Sequence, residues 1–145
     1  MSFWAWLALA LGGAVGAWAR FHADQWLAPR WKKLLSTGPA WAQQTSVGMA
    51  ILTINLIGSF LAGLLAGSGW LSPSLWLVIG TGVLGGWTTF STAMMDAFNA
   101  LTAPTHQPRT ARLIGILLLA FAGLLLCVLA AAAGGALAHV LVTAS

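Results

Sequence analysis

The segment from Ser46 to Ala66 reads SVGMAILTINLIGSFLAGLLA and contains no charged side chain. A helix that crosses a bilayer needs about 20 mostly apolar residues, so this segment is long enough to span a membrane. Three other apolar segments of the chain satisfy the same requirement. The sequence therefore predicts an all-α integral membrane protein, one domain over residues 1–145 with spans of approximately 3–21, 46–66, 75–95 and 113–142.

The composition supports a surface that faces lipid. Of the 145 residues, 59% are hydrophobic and 6% are charged, whereas a soluble domain carries about 25% charged residues. The net charge of +4 comes from few cations in short connectors, which argues against nucleic-acid binding. A single cysteine, Cys127, excludes an intramolecular disulfide and a cysteine metal cluster.

Basic residues mark one side of the predicted membrane domain. All of the lysines and arginines fall in the first and third connectors or at the helix ends beside them: Arg20, Arg30, Lys32, Lys33, Arg109 and Arg112. The first connector, from His22 to Thr45, contains Pro29 and several tryptophans, and a short interfacial helix is expected in it. Because cytoplasmic loops are enriched in Lys and Arg, both termini are predicted outside a multi-pass protein of the cell inner membrane.

One polar side chain lies in the middle of the second predicted span. Asn55 carries two amide donors and a carbonyl acceptor, and leaving them unpaired in hydrocarbon is costly. Ser59 and Gly63 follow it at helical spacing. Two roles remain open for Asn55: a hydrogen bond that joins two helices, or a donor that lines a pore.

The third span contains the sequence GGWTTFST at residues 85–92. Two glycines followed by hydroxyl residues predict a broken helix, whose freed carbonyls could bind ions. The structural alternative is a kink with a threonine hydroxyl bonded back to the helix. Arg20 ends the first span, either as a side chain that reaches the interface or as a positive charge at a vestibule.

Several function classes lack the residues that they require. The two carboxylates, Asp24 and Asp96, lie near span ends, which argues against a proton-coupled antiporter. The histidines are dispersed and no nucleophile–base pair is visible, so we expect no enzyme. A neutral, hydrogen-bonding interior favours passive conduction of a small ion without naming it. A small four-span multidrug-type exporter and a non-conducting membrane scaffold are the alternatives.

Three segments together resemble the CrcB/Fluc family of fluoride channels: GGAVGAWARF at residues 12–21, NLIGSF at 55–60 and GGWTTFST at 85–92. Their order and spacing extend the resemblance over nearly the whole chain. It implies a fluoride-selective passive channel that exports cytoplasmic fluoride and relieves its toxicity. It also implies an antiparallel dimer with two pores, formed with an identical subunit or a paralogue.

The resemblance assigns roles to individual residues. Asn55 matches the pore asparagine of the family, and Phe90 matches the first of two phenylalanines whose ring edges face fluoride. The hydroxyl residues beside Phe90 complete the candidate pore: Thr89, Ser91 and Thr92. A structural Na⁺ at the dimer interface would be held by the backbone carbonyls of Gly85 and Thr88 and their equivalents in the partner.

The chain also departs from the family pattern. The second phenylalanine position is Ala93, so that wall is either missing or supplied by another residue, such as Met94 or Met95. Ala50 and Ile51 replace a Gly-Thr pair in the second span, and residues 113–142 contain no Ser or Thr. Because all the cations lie on one predicted side, a single orientation is favoured, and an oppositely oriented paralogue is the expected partner.

Overall fold

A computed structural model describes residues 2–38, 46–89 and 108–144 of the chain, and all the regular structure in these residues is helical. Helix α1 is Phe3–Leu35, α2 is Ser46–Ser68 and α4 is Arg109–Thr143. Helix α3 begins with an α-helical turn, Pro73–Trp76, continues as a π-helix, Leu77–Leu84, and closes with the turn Gly85–Trp87. The prediction of an all-helical chain is confirmed for these residues.

Helix α1 is longer than the predicted first span. Instead of ending near residue 21, it continues through Pro29 to Leu35, so the predicted connector from His22 is helical in its first half. Proline removes one backbone donor and disfavours the helix interior. Leu27, Ala28 and the residues after Trp31 have good helix propensity, and α1 is already nucleated upstream.

The turn between α2 and α3 has the conformation that its residues predict. Gly69 has a φ of 64°, the left-handed region that glycine adopts without strain. The Ser68 hydroxyl donates to the Leu65 carbonyl at 3.0 Å and accepts from the Trp70 amide at 3.2 Å. Ser72 caps the first turn of α3, which begins at Pro73.

Helix α3 ends inside the segment 85–92, where the sequence predicts a broken helix. Gly85 and Gly86 are helical, and the chain leaves the helix at Thr88, where φ is −80° and ψ is 145°. A Cβ atom at Gly86 would overlap the Gly13 carbonyl oxygen of α1. Gly86 therefore serves close helix packing, and the chain leaves the helix at Thr88, inside the predicted segment 85–92 but after the glycine pair. Residues 90–95 of the predicted third span lie outside the described residues.

Glycines bring the helices together in two parallel pairs. On α1, Gly12 faces Val78 of α3 and Gly16 faces Val83, so residue numbers increase together along the contact. On α2, Gly63 faces Ala131 and Gly67 faces Gly135 and Ala138 of α4. Small residues allow such close backbone contacts between membrane helices. The four-residue spacing of Gly12 and Gly16, and of Gly63 and Gly67, is typical of such packing, and these glycines do pack helices.

Helix α2 runs antiparallel to α3. Asn55 bonds to Thr89 beyond the end of α3, whereas Leu65 and Ala66 line a cavity together with Trp76 at its start. Because α1 is parallel to α3 and α4 to α2, the direction alternates along the chain. The C-terminal end of α1 and the N-terminal end of α4 therefore lie at one end of the bundle, and these are the ends that carry all the basic residues.

The outer faces of the helices are apolar. Leu118, Phe121 and Leu124 of α4 are each more than 60% exposed. Contiguous apolar surface of this kind is not stable in water and is typical of contact with lipid or with another subunit. Among the described helices, two are long and apolar enough to cross a membrane, over Gly48–Ser68 and Thr110–Thr143.

Candidate functional site

Asn55 holds the segment that follows α3 through two hydrogen bonds. Its side-chain amide donates to the Thr89 carbonyl at 3.0 Å, and its side-chain carbonyl accepts from the Thr89 amide at 2.9 Å. This reciprocal pair satisfies one donor and one acceptor of Asn55 within a half-buried contact. Asn55 is therefore a link between α2 and the end of α3, which is the first of the two roles that the sequence left open. The same pair uses the backbone of Thr89, not its hydroxyl.

The Asn55–Thr89 pair changes the hydrogen bonding of the last turn of α3. In an uninterrupted α-helix the Thr89 amide would donate to the carbonyl of Gly85. Here the Thr89 amide donates to Asn55 instead, so the Gly85 carbonyl loses its helical donor. The Thr88 residue is extended, which takes its carbonyl out of the helical direction. The two carbonyls predicted to bind sodium thus lie at the point where α3 ends.

Trp87 and Gly58 form a second contact between the same two helices. The indole nitrogen of Trp87 donates to the Ile54 carbonyl of α2 at 2.8 Å. A Cβ atom on the buried Gly58 would lie 2.8 Å from Cδ1 of this indole and 2.6 Å from the Thr88 methyl carbon. Only a residue without a side chain leaves room for both groups, so Gly58 permits the approach.

Thr88 bonds back to the helix that it ends. Its hydroxyl and its amide both reach the Leu84 carbonyl, each at 2.9 Å. The structural alternative for the third span, a threonine hydroxyl bonded back to the helix, therefore occurs at this residue. The backbone also leaves the helix at this residue. The broken helix and the back-bonded threonine, which the sequence offered as alternatives, therefore occur together.

Arg20 lies on α1 at the end of its uncharged part. Its Nε atom is buried and has no hydrogen-bond partner among the described residues. The same holds for Oδ1 of Asp24, one turn later on α1. The Arg20 guanidinium, which is not fully hydrogen-bonded, therefore leaves positive potential around this part of α1.

The structure brings together only part of the predicted site. Asn55, Gly85, Thr88 and Thr89 lie at the junction of α2 and α3. Arg20 is on a different helix, and the positions of the remaining pore candidates lie outside the described residues: Phe90, Ser91 and Thr92. The sequence reasoning missed Gly58 and Trp87, although both stand inside the quoted motifs at 55–60 and 85–92.

A family model described as "CrcB-like protein, Camphor Resistance (CrcB)" matches residues 7–135, most of the chain. The chain belongs to the CrcB family. This match covers every described residue of the α2–α3 junction, and it establishes a membrane protein of the kind that the sequence resemblance indicated.

Curated relatives of this CrcB protein are named fluoride-specific ion channels. The FluC protein of Deinococcus radiodurans is 46% identical over 95 residues, covering 63% of this chain and 67% of the relative. FluC 1 of Symbiobacterium thermophilum is 36% identical over 106 residues, covering 70% and 77%. FluC of Erythrobacter litoralis is 40% identical over 117 residues, covering 77% and 78%. No solved structure matches the chain.

Proposed function

We propose that this CrcB family protein is a fluoride-selective passive channel that exports cytoplasmic fluoride and so relieves its toxicity. The names of its relatives identify the ion. The observation in the structure that supports conduction is the α2–α3 junction, where Asn55 holds a non-helical segment inside an apolar bundle. Irregular backbone at membrane depth is tolerated where protein or a water-filled path covers it.

The chemistry of the junction suits a small anion. The Asn55 side-chain nitrogen has two N–H groups, and its bond to the Thr89 carbonyl uses one of them. The second N–H can donate to fluoride and replace part of the water that the ion loses. The positive edge of the Phe90 ring supplies a further favourable contact, and the Thr89, Ser91 and Thr92 hydroxyls supply donors. Arg20 attracts the anion to the entrance.

The residues at the end of α3 also fit a structural sodium ion. Na⁺ prefers oxygen ligands, and the carbonyls of Gly85 and Thr88 lie where the helical hydrogen bonding stops. A cation bound there would add positive potential beside an anion path. Equivalent carbonyls from a second subunit would complete the site, so the sodium proposal depends on the antiparallel dimer.

The assembly that we propose has two subunits in opposite orientations, with four spans each and a third span that is broken beyond Trp87. The unequal charge distribution favours a paralogue over an identical partner. Export needs no energy coupling, because hydrogen fluoride enters cells as a neutral weak acid and ionises inside. The inside-negative potential of the inner membrane then drives the anion out.

Fluoride efflux from liposomes that contain the purified chain, alone or together with an oppositely oriented paralogue, tests this function. We expect fast efflux that excludes chloride and needs no proton gradient. Asn55→Asp removes the donor to Thr89 and places a negative charge on the path, and Phe90→Ile removes the ring edge. Losing a hydrogen bond to an ion costs about 1.5–3 kcal/mol, so Asn55→Asp should slow efflux by about tenfold or more. Phe90→Ile should slow efflux as well, through the lost ring edge.

Thr53→Val is the matched control, because among the described residues the Thr53 hydroxyl bonds within α2, to the Met49 carbonyl at 2.8 Å. It should leave efflux close to that of the unchanged chain. Efflux that requires a proton gradient would indicate the multidrug-type exporter, and no efflux from any partner combination would indicate the scaffold. Unchanged efflux in both Asn55→Asp and Phe90→Ile would remove these residues from the mechanism.

A further inference from the structure

Helix α1 extends well beyond the thickness of a bilayer. Its 33 residues correspond to about 50 Å at 1.5 Å per residue, against a hydrocarbon core of about 30 Å. Residues 3–19 are uncharged and Arg20 is the first cation of the chain. The last turns of α1, residues 22–35, therefore leave the hydrocarbon; we call them the basic end of α1.

The basic end of α1 and the turn before it carry aromatic and cationic side chains on one exposed stripe. Trp18, His22, Trp26 and Arg30 follow each other at four-residue spacing, which places them on one face. The Trp18 and His22 rings meet edge to face at 4.6 Å. The Arg30 guanidinium lies 3.5 Å from the Trp26 ring centroid and donates to the Trp26 carbonyl. Arg30 is thus held in place while it remains exposed.

The charge of this segment cannot be neutralised inside the chain. The sequence has six Lys and Arg residues against two Asp and Glu residues. Lys32 and Lys33 are exposed in the last turn of α1, and no acidic residue occurs between Gln25 and Gly38. Among the described residues the nearest acid is Asp24, two turns earlier and about 12 Å along the axis from Lys32. Two acids cannot neutralise six cations, so positive charge remains for an external anion.

The apolar groups beside the cations indicate where that anion is. Trp26 is 58% exposed, Phe21 is 56% exposed and Leu34 is 67% exposed. Tryptophan and phenylalanine with adjacent Lys and Arg are typical of the layer between headgroups and acyl chains. A soluble anion would leave these side chains in water, whereas a lipid covers them and supplies the negative charge. We infer that the basic end of α1 is a binding site for anionic phospholipid headgroups on the basic side of the membrane domain.

Spin-labelled lipids test this site on the full chain in bilayers. The probes are phosphatidylglycerol and phosphatidylcholine, which share a phosphate and differ in net charge. We expect the chain to bind phosphatidylglycerol at least about fivefold more strongly, the effect of one basic residue near an anionic surface. Salt at about 1 M, where the screening length is about 3 Å, should remove most of the preference.

The variant Arg30→Gln/Lys32→Gln/Lys33→Gln should bind phosphatidylglycerol about as weakly as phosphatidylcholine. Its matched control, Arg30→Lys/Lys32→Arg/Lys33→Arg, keeps every charge and should keep the preference. Equal binding of the two lipids by the unchanged chain would overturn the proposal, and so would full preference in the glutamine variant. If the glutamine variant does not fold, the salt dependence of the unchanged chain decides: a preference that 1 M salt leaves intact also overturns the proposal.

Discussion

At the scale of single residues, Trp87 shows how one side chain positions a segment that it does not belong to. Its indole donates to Ile54 in the middle of α2 and lies over Gly58, one turn further on. The next two residues after Trp87 are then held by the Leu84 carbonyl and by Asn55. Three contacts with different partners therefore fix the direction in which the chain leaves α3.

Replacing Trp87 by Phe should destabilise the protein through the lost hydrogen bond. Trp76→Phe is the matched control, since Trp76 is on the same helix and its ring covers Gly80. Both changes remove the same volume, so their difference isolates the indole N–H. We expect Trp87→Phe to lower the free energy of unfolding by about 1 kcal/mol more than the control. Denaturation followed by circular dichroism measures it, and equal losses would contradict the role of this bond.

At the scale of helices, small residues decide which faces meet. A Cβ atom at Gly63 would overlap the Ala131 carbonyl oxygen, and one at Gly134 would overlap the Phe60 carbonyl oxygen. The two helices α2 and α4 therefore approach each other with backbone against backbone. Lipid is as apolar as leucine, so this close packing, rather than burial of apolar area, holds the pair together.

Gly63→Ala should separate α2 from α4. The added methyl group would lie 2.7 Å from the Ala131 carbonyl carbon, and backbone atoms cannot move aside as a flexible side chain does. We expect a loss of about 1–3 kcal/mol in the free energy of unfolding. Gly48→Ala is the control, because nothing lies within 4 Å of its Cβ position, and alanine there should be neutral or stabilising. Thermal unfolding in detergent compares them; similar stability of both variants would show that this contact is dispensable.

At the scale of the whole molecule, alternating helix directions gather the cations at one end. The parallel pairs α1–α3 and α2–α4 place the basic end of α1 and the start of α4 at the same end of the bundle. The opposite end holds the start of α1, the turn around Gly69 and the end of α4, none of which carries Lys or Arg. The charge asymmetry seen along the chain is therefore also an asymmetry in space, as a fixed orientation requires.

Single cysteines in a Cys127→Ser background test this orientation. Ser2→Cys and Ala144→Cys should react with an impermeant thiol reagent from outside the cell, and Thr37→Cys only after the membrane is opened. An even number of crossings requires the first two to share a side. Reaction of Ser2→Cys and Ala144→Cys on opposite sides would contradict the alternating helix directions. Partial reaction of all three from outside would contradict a single orientation.

The sequence alone determined the features that depend on composition and on the helical spacing of residues. In lipid, an uncharged run such as Ser46–Ala66 is stable only as a helix, because its backbone groups must bond to each other. The glycines at positions 12, 16, 63 and 67 predicted close packing through their spacing, and the motif at 55–60 singled out Asn55. The motifs on three segments also indicated the family, which the comparison of the chain with known proteins established.

The tertiary structure decided where α3 ends and what holds it there. The motif at 85–92 predicted a broken helix without fixing the residue: Gly86 packs against Gly13 of α1, and the helix continues to Trp87. Likewise Pro29 suggested a connector, and the residues around it continue α1 to Leu35. Local propensity cannot show that Asn55, more than 30 residues away, binds the Thr89 amide. A long-range hydrogen bond competes with the helical one, and only the packed arrangement of α2 against α3 determines which forms.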